Sequence, residues 1–160
     1  MDFSTMFSML GQGFLVTLQI FFFTLVGALP LGVLVALGRM SKVKVISAIF
    51  RVYISIMRGT PLMLQLMFIY FAPYYIFGIK LSTEWSMGAC LVAFILNYAA
   101  YFAEIYRSGI QSIPTGQYEA AEVLGYSRAQ TFFKIIFPQV FKRIIPALGN
   151  EIIVLVKDTS

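Results

Sequence analysis

Glu119-Ala120-Ala121-Glu122-Val123-Leu124-Gly125, continuing through Tyr126 to Pro138, is the most polar long segment of a very apolar chain, and it lies between two hydrophobic runs. Pro114 and Thr115 read as a helix start, Gly116 to Leu124 as a short helix, and Gly125 as the left-handed residue that ends it. Ser127 then caps a second helix, Gln130 three residues later completes a capping box, and Pro138 is expected to stop the run Phe132 to Phe137. The predicted unit is helix, glycine turn, helix: a protruding knob. Periodicity alone reads equally well as an ordinary amphipathic hairpin between membrane spans.

The composition points to a membrane as what flanks the knob. Hydrophobic residues make up 59% of the 160, charged residues 12%, and the mean hydropathy is +0.84. A soluble domain is not built this way. The net charge of +5 would suggest nucleic acid if the basic residues formed a patch on a soluble surface, but ten of the 12 fall in two loops. Arg39, Lys42, Lys44, Arg51 and Arg58 occupy the first, and Arg107, Arg128, Lys134, Lys142 and Arg143 the second. Two apolar runs separate these loops, so both lie on one side, and the positive-inside rule makes that side cytoplasmic. No basic residue precedes Arg39, so the charged start of a secretory signal is missing. The first apolar run is therefore expected to stay as a span, with the N-terminus outside.

Residues 1–160 read as a single transmembrane domain. Spans are predicted at about 13–38, 61–77, 85–106 and 144–160, with an interfacial helix at about 43–58 and a cytoplasmic loop at about 107–138. In the first span Ala28, Gly32 and Ala36 recur every four residues and Thr24 extends the row, a stripe that lets another helix of this subunit, or of a second one, approach closely. Lys44, Ser47, Arg51, Ser55 and Arg58 form one polar stripe on an otherwise apolar helix, which is expected to lie along the cytoplasmic interface. Arg58-Gly59-Thr60-Pro61 places a capping threonine and a first-turn proline at the start of the second span, whose only strongly polar interior residue is Gln65. A short outer loop, Gly78 to Glu84, leads to Trp85 as an interfacial anchor.

Polar residues inside spans are costly and face protein or a water-filled cavity. Asn97, Tyr101 and Glu104 share one face of the third span. Asn97 suits either an interhelical hydrogen bond or a substrate contact, and Glu104 with Arg107 suits a structural ion pair near the cytoplasmic loop. Glu151 and Asp158 are two helical turns apart, so their carboxylates share a face, with Asn150 and Lys157 in a parallel row. Asp158 could instead pair with a Lys or Arg on another helix. Cys90 excludes an internal disulfide and reads as a small buried hydrophobe. With no histidine, imidazole metal sites and imidazole acid-base chemistry are excluded. There is no G-x-x-x-x-G-K-[ST] loop, HExxH, CxxC or G-x-S-x-G, so no catalytic residue, metal site or cofactor is expected.

The knob also carries a motif. Glu119-Ala120-Ala121, three residues, Gly125, nine residues, Ile135, and finally Pro138 resembles the EAA loop of permease subunits of ATP-binding cassette importers, E-A-A, three residues, G, nine residues, I, one residue, L-P. Phe137 replaces the leucine. Six fixed positions match by chance roughly once in 10⁷ starting points. Arg58-Gly59-Thr60-Pro61 resembles the R-G-T-P signature of permeases for polar amino acids, and Tyr101 to Leu124 resembles their segment joining third span and coupling loop, with Ser108 where glycine is common. The resemblance covers roughly residues 13 to 160.

The resemblance implies an all-α integral membrane protein with the type I ABC importer permease fold, in the bacterial inner membrane. About four spans of an expected five fall within these residues, so a truncated chain is expected. It implies the translocation pathway of an ATP-driven amino-acid uptake system, paired with itself or a paralogue. Two separate ATPase subunits would hydrolyse the ATP, and an extracytoplasmic binding protein would deliver substrate. Glu119, Ala120, Ala121 and Gly125 become the coupling residues. Glu151, Asp158, Asn97, Tyr101 and Gln65 become candidates for substrate, the carboxylates accepting from the ammonium group of an amino acid. The alternatives are an ATP-independent channel or secondary transporter, and a non-transporting membrane scaffold.

Overall fold

The computed structural model describes residues 3–80 and 82–160. Its elements are helical throughout: α1 (Phe3–Arg39), α2 (Lys44–Gly59), α3 (Leu62–Phe77), α4 (Thr83–Gln111), α5 (Thr115–Val123), α6 (Arg128–Gln130), a π-helical turn (Thr131–Ile136) and α7 (Phe137–Thr159). The expectation of an all-α membrane fold holds.

Helix α4 is the axis of the molecule. It packs along α1 over most of their shared length and also touches α2, α3 and α7. Its inward positions are small where neighbours come close: Ala89, Ala93, Ala99, Ala100 and Ala103 are all fully buried. The predicted small-residue stripe of α1 faces this helix, with Thr24, Ala28, Gly32 and Ala36 buried in the contact. The stripe thus serves packing within the subunit. A Cβ built on Gly32 would lie 2.9 Å from Phe102 Cβ and 3.3 Å from the Ala99 carbonyl oxygen. Neither atom belongs to a flexible side-chain end, so Gly32→Val is expected to push α1 off α4 at about 1–3 kcal/mol. A lower thermal unfolding midpoint in detergent would record this; an unchanged midpoint would contradict the close packing.

Outward, the same helices are apolar. Phe14, Leu15, Leu18, Phe22 and Phe23 of α1 are exposed, which suits lipid rather than water. By length and apolarity α1 and residues 85–111 can each cross a membrane, and α2 with α3 would make a third crossing if taken together, bent by 110° at Thr60-Pro61. The other two expected spans fall short by themselves. Helix α3 has 16 residues, about 24 Å, and α7 is crowded by Lys142, Arg143, Glu151, Lys157 and Asp158.

Three boundaries differ from expectation. Helix α1 begins at Phe3 and contains the predicted span as its distal part. Helix α4 runs past Tyr106 to Gln111, so the helix of the third expected span continues beyond its predicted end. Most importantly, Pro138 does not stop the helix before it: Arg128 to Thr159 is one continuous helical run, with Gln130, Thr131, Ile136 and Phe137 all in the right-handed α region. A proline clashes with the carbonyl four residues back and donates no hydrogen bond to it. The π-turn immediately upstream, in which the Phe137 amide reaches back five residues to the Phe132 carbonyl, resets the ladder where Pro138 would break it.

Candidate functional site

Two regions stand out, the knob and a cavity, and α7 links them. The knob forms as its sequence predicts. Helix α5 ends at Val123 with Leu124 as its cap, and Gly125 has φ 76°. The Gly125 amide donates to the Glu122 carbonyl at 2.9 Å and the Tyr126 amide to the Ala121 carbonyl at 3.0 Å, the paired bonds of a Schellman motif. Ser127 and Gln130 then make both halves of the capping box. Ile113, Ile136, Val140 and Ile144 form the core beneath the knob, and Arg143 donates to the Ser112 carbonyl at 2.6 Å, fastening α7 to the end of α4. Of the four candidate coupling residues, Glu119 and Ala120 are exposed, Gly125 makes the turn, and Ala121 is buried against the protein. The end of the knob is apolar: Val123 is 88% and Leu124 73% exposed.

The cavity, about 610 Å³, lies where the α2–α3 bend meets α4 and α7. Asn97 and Tyr101 line it from α4, Glu151 and Asp158 from α7. Four of the five candidate substrate residues are therefore brought together. Seven residues of α-helix return a side chain to the same face, which places both carboxylates on the cavity wall. Lys157, one residue away, is exposed and does not line it.

Asp158 has no Lys or Arg partner among the described residues, contrary to one expectation for it. Its Oδ2 accepts a hydrogen bond from the Tyr98 hydroxyl at 2.6 Å. Tyr98 is 1% exposed and stacks on Phe94, so a buried phenol with one good acceptor holds α7 against α4. Glu151 makes no hydrogen bond or ion pair among the described residues, and it is half-buried. It is the free acceptor of the site.

Gln65, the fifth candidate, does not line this cavity. Its amide nitrogen donates to the Met57 carbonyl at 2.9 Å, the Thr60 carbonyl at 3.1 Å and the Thr60 hydroxyl at 2.8 Å. Its oxygen accepts from Asn97 Nδ2 at 3.0 Å, and the same Asn97 nitrogen donates to the Met57 carbonyl, also at 3.0 Å. The tight bend frees these carbonyls from helical partners, and two buried amides satisfy them. Asn97→Leu is expected to leave the Met57 carbonyl and Gln65 under-satisfied, at about 1–3 kcal/mol. Thermal unfolding would read this as a lower midpoint, and an unshifted midpoint would mean the bend is held by other contacts.

Sequence reasoning missed two groups. Tyr98 gave no signal of its own beside Asn97. Arg58 was read as one of an interfacial row, yet the bend brings it to the cavity wall, its guanidinium carbon 5.1 Å from the centre of the Tyr101 ring. It is also 4.0 Å from Glu104 Oε2. Glu104 and Arg107 do form the expected ion pair, through Arg107 Nε at 3.1 and 3.2 Å and Nη2.

Residues 28–160 match the family described as binding-protein-dependent transport system inner membrane component. The chain is 40% identical over 151 residues to the L-cystine transport system permease protein TcyB of Bacillus subtilis (strain 168), covering 94% of this chain and 63% of that protein. It is 41% identical over 149 residues to the putative glutamine transport system permease protein GlnP of Rickettsia bellii (strain RML369-C), covering 93% of this chain and 67% of that protein. The chain thus spans 63% and 67% of the length of these two curated relatives. Among solved structures, a crystal structure of an amino acid ABC transporter with histidines superposes with a TM-score of 0.83 at 37% identity, over 99% of this chain and 74% of that one. The match over 28–160 takes in both the cavity and the knob, and the chain belongs to the family of binding-protein-dependent transport system inner membrane components.

Proposed function

We propose that this chain is the transmembrane subunit of an ATP-driven amino-acid importer. The cavity between the α2–α3 bend, α4 and α7 is part of the translocation pathway, and the α5–α6 knob is where a separate ATPase docks. One observation carries the reading. The continuous helical run from Arg128 to Thr159 starts in the knob and ends with the two carboxylates of the cavity. At 1.5 Å per residue the run is about 45 Å long, so a movement of the knob is carried along one helical run to the cavity.

Two ATPase subunits, a second permease that is a copy or a paralogue, and an extracytoplasmic binding protein complete the assembly. Closure of the ATPase dimer on ATP moves the knobs, Glu119 making polar contact with the ATPase and Gly125 fixing the turn. The basic loops lie in the cytoplasm and the N-terminus outside. Within the cavity Glu151 accepts from the ammonium group of the amino acid, and Asp158 with Tyr98 borders the same space. Tyr101 offers a hydroxyl and a ring face, while Asn97 divides its role between the cavity and the bend.

Uptake into proteoliposomes tests this. The full-length permease, with its ATPase and binding protein, is expected to accumulate a labelled amino acid only when ATP is supplied on the ATPase side. Accumulation driven by an ion gradient without ATP would instead identify a secondary transporter.

A further inference from the structure

We propose that Arg58 is the specificity-determining residue for the substrate's carboxylate, so that the cavity recognises both ends of a zwitterion. This rests on the reading of the cavity as the amino-acid site. Three observations lead to it.

The first is a charge inventory. Glu104 has Arg107 in forked contact through Nε and Nη2, which satisfies one carboxylate with one guanidinium. Arg58 approaches the same carboxylate only to 4.0 Å, beyond hydrogen-bond distance. Glu104 is thus satisfied without Arg58, whose charge is left facing the cavity that it shares with Glu151 and Asp158. Among the described residues its guanidinium makes no hydrogen bond.

The second is orientation. The Arg58 guanidinium lies 5.1 Å over the Tyr101 ring, and both residues line the cavity. Contact with a ring face fixes the guanidinium plane while leaving its edge N–H groups free. Those donors form the planar fork that matches a carboxylate. The backbone beneath is fixed as well, because Gln65 and Asn97 hold the Met57 and Thr60 carbonyls on either side of Arg58.

The third is what shares the cavity. Glu151 and Asp158 line it from α7, and Tyr98 already occupies one oxygen of Asp158. A cationic fork on one element and a free carboxylate on another suit a carboxylate and an ammonium group joined through one carbon. An amine without a carboxylate would find the ammonium site and leave Arg58 unused.

Equilibrium binding to the full-length permease–ATPase complex in lipid nanodiscs, without binding protein, tests this directly. The probes are L-glutamine, L-cystine and L-arginine, each against its decarboxylated amine: 4-aminobutanamide, cystamine and agmatine. The wild type is expected to prefer its amino acid at least about tenfold, the usual worth of a hydrogen bond to a charged group. In Arg58→Gln the amino acid should weaken while the amine does not, bringing the ratio to about one; Arg58→Lys should fall between. A purely structural Arg58 would weaken both ligands alike and leave the ratio unchanged, which would overturn the proposal. So would a wild type without preference for the acid, a result that needs no variant to fold. If Arg58→Gln keeps the full ratio while the wild type binds and accumulates amino acids, this inference alone fails. If the wild type binds none of the six probes, the amino-acid reading of the cavity fails with it.

Discussion

Gly125→Val is expected to cut ATP-driven uptake at least about tenfold while the protein is still made and inserted. Gly125 sits at φ 76°, a conformation that costs an L-residue roughly 1–2 kcal/mol and a β-branched one more. Space is not the difficulty, since a Cβ there meets nothing within 4 Å. The penalty is in the backbone, and relieving it breaks the two bonds to the Glu122 and Ala121 carbonyls that set the angle between α5 and α6. The buried parts of the knob, the Ala121 side chain and the separate core of Ile113 and Ile136, are not touched by the change. The helices therefore remain while the exposed end is re-aimed. Asparagine tolerates the left-handed region, so Gly125→Asn should keep most of the uptake. Transport assays with membrane-fraction blots check the pair; normal uptake by the valine variant would remove the knob from the mechanism.

Glu151→Gln and Asp158→Ala are expected to fail in different ways. Glu151 makes no hydrogen bond or ion pair among the described residues and feels Arg58 only at longer range, so neutralising it should change thermal stability little. Uptake should fall about ten- to hundredfold, the loss of a charge-assisted hydrogen bond to the ammonium group. Asp158 accepts from buried Tyr98. Its removal strands a phenol in the α4–α7 contact and should lower stability by about 1–3 kcal/mol as well as uptake. Asp158→Asn retains an acceptor, so it should recover the stability and not the transport if the charge matters to substrate. Paired melting curves and uptake rates decide between the roles. Equal loss of stability in both alanine and asparagine variants would contradict the hydrogen-bond role.

Much of this was legible in the sequence because it rests on local chemistry. Gly125, Ser127 and Gln130 announced a turn and a capping box through short-range geometry, and both formed. Glu151 and Asp158 share a face by helical period alone, and both reach the cavity. The stripe Thr24, Ala28, Gly32, Ala36 predicted a close helix contact, and α4 supplies it. What was not legible depends on long-range placement. Gln65 and Asn97 are 32 residues apart, and only the α2–α3 bend makes them partners and brings Arg58 over Tyr101. Pro138 misled because a proline rule assumes an α-helical ladder, whereas a π-turn upstream absorbs the missing donor. The start of α1 at Phe3 was missed because Gly11 and Gly13 weakened the pattern, and a helix in lipid tolerates them.

The most direct test of coupling between knob and cavity is ATP hydrolysis in proteoliposomes. The full-length permease, its ATPase and its binding protein would be assayed with and without amino acid. Hydrolysis should rise several-fold with substrate in the wild type, and the rise should vanish in Gly125→Val although the basal rate persists. Hydrolysis indifferent to every amino acid, with an ATPase that does not co-purify with the permease, would contradict an importer driven through this knob.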